Sequence, residues 1–189
     1  DIEALCADAV FEMKKEFGNL VLCGFMGSGK TTVGKLIAQK AGRTFVDMDQ
    51  YIEQKQGVRI SELFASQGEA AFRKLEREAA RELAQKSGLI IATGGGTLMD
   101  PENTAELKSS GIIVLLDASL EKIQKRLRGD QTRPLLSGPE HDENLRRLYL
   151  ERSDRYRLSA DRTVPADAPA VEVAEQILQA LKNPPIPSE

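Results

Sequence analysis

A chain of 189 residues, 41% hydrophobic and 29% charged, has enough apolar material to fold as one globular domain. The net charge of −3 argues against nucleic acid as a partner, and no apolar run is long enough to span a membrane. The N-terminus does not resemble a secretory signal, and Cys6 and Cys23 are a poor disulfide framework, so both are expected to be buried thiols. We therefore expect a monomer in the cytoplasm, or in a plastid-type reducing compartment if a transit segment has been removed.

Three parts of the chain are distinguished by their patterns. Residues 1–17 space apolar side chains at helical intervals and predict an amphipathic helix packed on the domain. Residues 18–182 are predicted to form that domain, and the proline-rich residues 183–189 a disordered tail.

Residues 24–31 read Gly-Phe-Met-Gly-Ser-Gly-Lys-Thr and match the phosphate-binding P-loop motif, G-x-x-x-x-G-K-[ST]. An apolar run precedes the motif and a helical pattern follows it, as a P-loop requires. Gly24 and Gly29 are expected to allow the tight path of the loop at positive φ. Lys30 can reach the β and γ phosphates, and the Thr31 hydroxyl can bind Mg²⁺. The residues expected to bind the nucleotide phosphates are Gly27, Ser28, Gly29, Lys30, Thr31 and Thr32.

Short apolar runs and helical periodicity alternate along the rest of the chain. Strands are predicted at 19–23, 44–46, 89–92, 112–116 and 163–164. Helices are predicted at 30–41, 50–56, from Ser61, at 69–86, from Asp100-Pro101, from Ser119 to about 127, at 142–157 and at 171–182. Residues 128–140 are polar and rich in glycine and proline, which predicts a mobile lid.

This alternation predicts an α/β fold with a doubly wound parallel sheet. Ligands of such sheets bind beyond the carboxyl ends of the strands. Three features should therefore meet at one edge: the P-loop, the pair Asp47 and Asp49 after the second strand, and the glycines 94–96 after the third.

The two aspartates are separated by one residue, so in extended geometry their side chains would point the same way. One carboxylate, for which we prefer Asp47, can hold Mg²⁺, and the other, Asp49, can accept the proton of a substrate hydroxyl. The alternative is that Asp49 only caps the helix at 50–56. Asp117 also follows an apolar strand, but Ser119 and the helix after it favour a loop or capping residue there.

Two further features have both a functional and a structural interpretation. Gly94, Gly95 and Gly96 would let a ligand approach the backbone, or would only form an irregular turn. Arg73 and Glu76 lie three residues apart on a helix, so the carboxylate can fix the guanidinium, although most such pairs are surface ion pairs. His141 is expected at a helix start and is not assigned to catalysis.

The motifs, taken together, resemble those of the shikimate kinase family. The resemblance spans about 20–157, with the motifs in the family's order, whereas residues 1–17 depart from the family's usual beginning near the first strand. It rests on the P-loop with its Phe-Met, on Asp-Met-Asp at 47–49, on Phe-Arg-Lys-Leu-Glu at 72–76, on Thr-Gly-Gly-Gly at 93–96, on Arg-Pro-Leu-Leu at 133–136 and on Arg152.

The resemblance implies a nucleoside-monophosphate-kinase-like fold with strand order 2-3-1-4-5. It implies ATP-dependent phosphorylation of the 3-hydroxyl of shikimate, a step toward aromatic amino acids. Asp49 would hold the shikimate hydroxyls and act as base, Arg133 would meet the transferring phosphate, and Arg126 would lie against adenine. The carboxylate and ring of shikimate would contact Arg73, Arg152 and glycines 94–96, with Phe64 and Phe72 as pocket walls.

Two other functions are compatible with parts of this pattern. A gluconate kinase of the same fold would not need paired arginines for a carboxylate, so Arg73 and Arg152 disfavour it. A catalytically silent P-loop module would be expected to lack the lysine, an aspartate or an arginine, and all of these are present.

Overall fold

The computed structural model describes residues 18–128 and 140–182, together with the single residue Ala4. The predicted helix over residues 1–17 (apart from Ala4), most of the predicted lid and the predicted tail lie outside the described residues. None of the helices in the described part is long and apolar enough to cross a membrane.

Five parallel strands form one sheet in the order β2-β3-β1-β4-β5, which confirms the predicted fold class. The strands are β1 (Asn19–Cys23), β2 (Thr44–Asp47), β3 (Leu89–Ala92), β4 (Gly111–Asp117) and β5 (Arg162–Pro165). At the centre, Leu20 of β1 lies opposite Ile90 of β3 on one side and Ile112 of β4 on the other. Central parallel strands are covered on both faces, so they are continuous apolar runs, and for this reason the sequence located them well.

The described helices are α1 (Lys30–Ala41), α2 (Met48–Gln56), α3 (Ile60–Ala84), α4 (Pro101–Ser110), α5 (Leu120–Leu127), α6 (His141–Ser159) and α7 (Ala170–Lys182), with a 3₁₀ turn at Thr97–Met99. Helix α1 packs against α7, and α3 packs against α4. Since β1 and β3 are fully buried, the core lies in the sheet and in the helix faces that cover it.

Two of the predicted helix starts are confirmed in detail. The Asp100 side chain accepts the Glu102 N–H at 2.9 Å, and Pro101 occupies the first helical position of α4. The Ser119 hydroxyl accepts the Lys122 N–H at 3.2 Å at the start of α5. Each bond satisfies a backbone donor that the helix itself leaves unpaired.

The predicted cap at Ser61 is wrong. Helix α3 begins one residue earlier, at Ile60, and its N-cap residue Arg59 makes no side-chain capping bond. Instead, the Glu53 carboxylate of α2 accepts the Ile60 N–H at 3.0 Å. The acceptor for this N–H is a side chain seven residues earlier, so the local capping pattern did not identify it.

The geometry predicted for the two aspartates is also wrong. Asp47 ends β2, but α2 begins at Met48, so Asp49 lies in the first helical turn and not in an extended segment. The Asp47 carboxylate accepts the Gln50 N–H at 3.1 Å and is therefore the cap of α2. The alternative that Asp49 serves as the cap is thus excluded, and its position needs another explanation.

Helix α3 consists of two helical parts joined by a kink at Gly68, where φ is 83° and ψ is 175°, outside the helical region. Glycine adopts this backbone conformation at little cost, whereas residues with a Cβ rarely adopt it. The sequence predicted two helices, one from Ser61 and one over 69–86; the break is near the predicted place, but the helix ends at Ala84. The bend separates a first part that carries Phe64 from a second part that carries Arg73.

Candidate active site

The P-loop connects β1 to α1 through three glycines with positive φ. Gly24 has φ 146°, Gly27 has φ 77° and Gly29 has φ 97°, so the prediction for Gly24 and Gly29 is confirmed. The Ser28 N–H donates to the Phe25 carbonyl at 3.1 Å and closes the turn. This path curls the backbone into a concave loop ahead of the N-terminus of α1, an arrangement that attracts anions.

Two polar side chains at the start of α1 lie beside the P-loop. The Lys30 ammonium donates to the carbonyls of Gly24 at 2.7 Å and Phe25 at 3.0 Å, which holds it across the loop. The Thr31 hydroxyl donates to Asp47 Oδ2 at 3.0 Å. A hydroxyl and a carboxylate oxygen thus meet beside the P-loop, and hard oxygen ligands of this kind suit Mg²⁺.

A cavity of about 710 Å³ opens beyond the carboxyl ends of β1, β2 and β3. The predicted residues along its wall are Gly27, Gly29, Lys30, Thr31, Thr32, Asp47, Asp49, Phe64, Phe72, Arg73, Gly94, Gly95, Gly96 and Arg152. The structure therefore brings the P-loop, the aspartates, the glycines and both arginines together around one space. The rings of Phe64 and Phe72 lie 5.0 Å apart and form an apolar part of the wall.

Two predicted residues in the described part of the chain do not line this cavity, and a third lies outside that part. Ser28 is buried beneath the loop, and its hydroxyl finds no hydrogen-bond partner among the described residues. Arg126 of α5 lies behind the loop, where it donates to the carbonyls of Gly27 at 2.9 Å and Ala166 at 3.3 Å. Arg133 lies outside the described residues, so its predicted role has no geometry here.

The glycine triplet, Gly94, Gly95 and Gly96, is packed against a different polar side chain at each position. A Cβ on Gly94 would lie 2.8 Å from Asp49 Oδ1, and one on Gly95 would lie 3.2 Å from Arg152 Nη1. A Cβ on Gly96 would lie 2.6 Å from Arg73 Nη1. None of the three has positive φ, so glycine is needed here for the close approach of these side chains and not for an irregular turn.

Arg73 is held by a buried carboxylate. Glu76 is 2% exposed and accepts Arg73 Nη1 at 2.9 Å, while its other oxygen accepts the Thr97 hydroxyl at 2.8 Å. Burial lowers the pKa of Arg73, but the carboxylates of Glu76 and Glu69 together raise it by more. The net shift of the pKa is upward, so the guanidinium stays charged. The pair is therefore not the ordinary surface ion pair that the sequence left open.

Arg152 of α6 is the most buried cation of the wall, at 6% exposure. None of the residues at 18–128 and 140–182 places a carboxylate within ion-pair distance of its guanidinium. A buried charge without a counter-ion is costly, and an anionic ligand in the cavity would compensate for it. Together, Arg73 and Arg152 make the substrate side of the cavity suitable for a carboxylate.

Other residues of the wall were missed by sequence reasoning. Met26 belongs to the P-loop itself, but Gln50, Glu53, Arg59 and Ser61 come from α2 and the start of α3. These four carry no motif, and only the packing of α2 against α3 brings them to the cavity. A periodicity argument could identify their helices but not the side that faces the site.

The residues set aside in the sequence have structural positions. Asp117 ends β4, forms an ion pair with Arg157 at 3.9 Å and does not line the cavity. His141 begins α6, as expected. Cys23 is buried as predicted, and burial raises the pKa of its thiol to about 12, whereas Cys6 lies outside the described residues.

Comparison with known proteins gives one consistent family. A family model described as shikimate kinase matches residues 26–182. A shikimate kinase of Sulfurihydrogenibium sp. is 41% identical over 170 residues, which cover 87% of this chain and 98% of that protein. A shikimate kinase of Geobacter sulfurreducens is 47% identical over 138 residues, covering 73% of this chain and 76% of that protein.

Solved structures agree with the sequence relatives. A shikimate kinase from Acinetobacter baumannii, solved in complex with shikimate, superposes with a TM-score of 0.85 and 38% identity, covering 88% of this chain and 94% of that one. A gluconokinase from Sinorhizobium meliloti superposes with a TM-score of 0.54 at 18% identity, covering 87% of this chain and 91% of that one; it shares the fold alone. The chain belongs to the shikimate kinase family.

Proposed function

We propose that this chain transfers the γ-phosphoryl group of ATP to the 3-hydroxyl of shikimate, giving shikimate 3-phosphate and ADP. The observation that carries the proposal is Arg152, a buried cation without a carboxylate partner among the described residues, which faces the same cavity as the P-loop. A P-loop predicts a nucleotide but not an acceptor, whereas this arginine, together with Arg73, selects an acceptor that bears a carboxylate.

For the nucleotide, we propose that the phosphates bind the loop of Gly27, Ser28 and Gly29 and the start of α1. The Lys30 ammonium would move from the loop carbonyls to the β and γ phosphates, and Thr32 would add a hydroxyl at the helix N-terminus. The guanidinium of Arg126 spans the loop and the segment after β5, which supports a planar surface against adenine. Arg133 is proposed, from the sequence alone, to meet the transferring phosphate.

The oxygens of Thr31 and Asp47 are the proposed protein ligands of Mg²⁺. Their separation of 3.0 Å and their place beside the P-loop suit an ion that binds one or two protein oxygens and completes its shell with phosphates and water. A metal site built entirely from protein ligands would need a cluster of three or more His, Cys, Asp or Glu side chains. Residues 18–128 and 140–182 contain no such cluster. When bound, the ion would neutralise phosphate charge.

Asp49 is proposed to bind and activate the acceptor hydroxyl. Its carboxylate faces the cavity between the P-loop and Gly94, and capping does not account for it. In the reaction the 3-oxygen of shikimate forms a bond to the γ phosphorus, and the bond from that phosphorus to the bridging oxygen of ADP breaks. The hydroxyl proton passes to the Asp49 carboxylate.

An assay of ADP release tests this function. ATP with Mg²⁺ should give rapid ADP release with shikimate and little release alone or with gluconate. The Lys30→Ala variant should retain less than about a tenth of the normal kcat, because the transferring phosphate loses a charge contact worth several kcal/mol. ADP release that does not depend on shikimate would contradict the proposal. The monomeric state and the cellular compartment stay predictions from the sequence.

A further inference from the structure

A tyrosine hydroxyl buried next to the acceptor side of the cavity has no place in the roles above. Tyr156 of α6 is 3% exposed, and its hydroxyl donates a hydrogen bond to the backbone carbonyl of Gly95. Gly95 is the middle residue of the glycine triplet, and its position faces Arg152. The hydroxyl therefore holds a carbonyl at the point where the triplet and the buried arginine meet.

Arg152 and Tyr156 lie four residues apart on α6, so their side chains are neighbours on one face of the helix. Burial raises the pKa of the Tyr156 hydroxyl, while the charge of Arg152 and a hydrogen bond from its guanidinium oppose that rise. Arg152 Nη1 would lie 3.2 Å from a Cβ on Gly95. The guanidinium, the hydroxyl and the Gly95 carbonyl thus form one contiguous polar group.

We propose that Tyr156 is a positioning residue that keeps the Arg152 guanidinium directed at the substrate carboxylate. This inference rests on the proposed function. The hydroxyl occupies the Gly95 carbonyl, an acceptor that lies beside a cation with five N–H donors. Without the hydroxyl, the Gly95 carbonyl would become available to the neighbouring Arg152 guanidinium. The guanidinium would then turn toward the backbone and lose its orientation for an incoming carboxylate.

The variant Tyr156→Phe removes the hydroxyl and keeps the ring. We expect the KM for shikimate to rise about tenfold, the KM for ATP to stay within about twofold and kcat to fall less than about threefold. A purely structural role would lower the melting temperature without separating the two KM values. Equal changes in both KM values, or none, would overturn the proposal.

Tyr149→Phe is the matched control. Tyr149 lies on the same helix and donates a hydrogen bond from its hydroxyl to the Ala118 carbonyl at 3.1 Å, but it does not line the cavity. Losing this bond removes the same kind of contact from a less buried position, so its effect on stability should be no larger. The KM for shikimate should stay within about twofold of the wild-type value. A tenfold rise in the control would show that any hydroxyl loss on α6 has this effect, and would overturn the specific role of Tyr156.

A double-mutant cycle tests whether Tyr156 acts through Arg152. In an Arg152→Ala background, Tyr156→Phe should change the shikimate affinity by less than about twofold, because the group it orients is already gone. A further tenfold loss in that background would mean that Tyr156 acts independently of Arg152, against the proposal.

If Tyr156→Phe does not fold, fluorine NMR of the protein with Tyr156 in place still tests the proposal. The chain has three tyrosines, Tyr51, Tyr149 and Tyr156, so 3-fluorotyrosine labelling gives three ¹⁹F signals that Tyr51→Phe and Tyr149→Phe assign. Shikimate should shift the Tyr156 signal and leave that of Tyr51 unchanged; an unmoved Tyr156 signal at saturation overturns the inference. If the wild-type protein does not phosphorylate shikimate, the proposed function fails instead, which separates the two outcomes.

Discussion

Arg73 and Arg152 reach one cavity from different helices and are held in different ways. Arg73 is bound to the buried carboxylate of Glu76, which fixes its planar fork before a ligand arrives. Arg152 has no such partner among the described residues and depends on its surroundings on α6 for its direction. Arg73 is therefore a preorganised contact for a ligand, whereas Arg152 is the buried charge that an anionic ligand would neutralise.

The first prediction concerns Arg73. Arg73→Lys keeps the charge but loses the planar fork, so the KM for shikimate should rise at least about tenfold while the KM for ATP changes little. Steady-state kinetics with each substrate varied in turn measures both. Arg77→Lys, one turn later on α3, is the control, since Arg77 pairs with Asp100 outside the cavity. Equal losses for both substrates would contradict a carboxylate contact.

The second prediction separates the two aspartates. Asp49→Asn should fold and bind ATP normally but lose at least about a hundredfold in kcat, because an amide does not take the hydroxyl proton. Asp47→Asn can still cap α2, but it loses a carboxylate beside Thr31, so it should raise the Mg²⁺ concentration needed for half-maximal rate. Melting temperature, nucleotide affinity and kcat are measured together. A near-normal kcat for Asp49→Asn would reject its role as base.

Two elements, the glycine triplet and α3, shape the cavity that we propose as the substrate site. The triplet follows β3, and each of its glycines lets one polar side chain approach the backbone: Asp49, Arg152 or Arg73. Helix α3 bends at Gly68, so its first part can supply the pocket wall while its second part carries the arginine. The site therefore depends on backbone that leaves room for side chains from three helices.

The third prediction follows from this arrangement. A Cβ on Gly96 would lie 2.6 Å from Arg73, whose guanidinium must shift against its ion pair with the buried Glu76. Gly96→Ala should therefore lose some stability and raise the KM for shikimate about tenfold or more. Gly42→Ala provides the opposite control. Gly42 has φ 62° with nothing within 4 Å, so that variant should lose roughly 1–2 kcal/mol of stability without a change in KM. A Gly96→Ala protein with a normal KM would show that the triplet does not set the place of Arg73.

Across the whole molecule, the proposed active site lies at one end of the sheet, and a hydrogen-bond network lies at the other. At the end opposite the cavity, Asn19 is fully buried and its amide bonds the Lys86 carbonyl at 2.9 Å, the Ser110 hydroxyl at 3.2 Å and the Leu89 N–H at 2.9 Å. These bonds tie the beginning of β1 to the segments around β3 and β4. The network has no contact with the cavity.

The fourth prediction uses this separation. Asn19→Ala removes three hydrogen bonds and leaves the buried Leu89 N–H without its acceptor, so the free energy of unfolding should fall by roughly 2–4 kcal/mol. The KM values for both substrates should stay within about twofold at a temperature where the variant is folded. Urea unfolding and steady-state kinetics test the two parts. A large rise in either KM would mean that the two ends of the sheet are coupled.

The sequence predicted much of this molecule because its signals are local. The P-loop at residues 24–31, the buried strands and the caps at Asp100 and Ser119 depend on neighbours along the chain, and the structure agrees with them. The predicted cap at Ser61 was wrong because the N–H at the start of α3 is bonded by Glu53, a side chain of another helix. The extended geometry predicted for the two aspartates was wrong because α2 begins already at Met48.

The least predictable parts of the site are contacts between elements. The sequence placed Arg152 in the site by resemblance, but not its burial or the hydroxyl of Tyr156 between it and the Gly95 carbonyl. Likewise, Arg59 faces the cavity only because α2 packs against α3. Such contacts join residues far apart in the chain, and no periodicity encodes them.

The identity of the phosphorylated product tests the central claim most directly. The wild-type protein is incubated with ATP, Mg²⁺ and equal concentrations of shikimate and gluconate, and the products are resolved by phosphorus–proton correlation NMR. We expect ADP and a single new phosphoester in equal amounts, with the phosphate coupled to the proton on carbon 3 of shikimate. Phosphogluconate as the main product, a phosphoester at another hydroxyl, or ADP with free phosphate and no phosphoester would contradict the account.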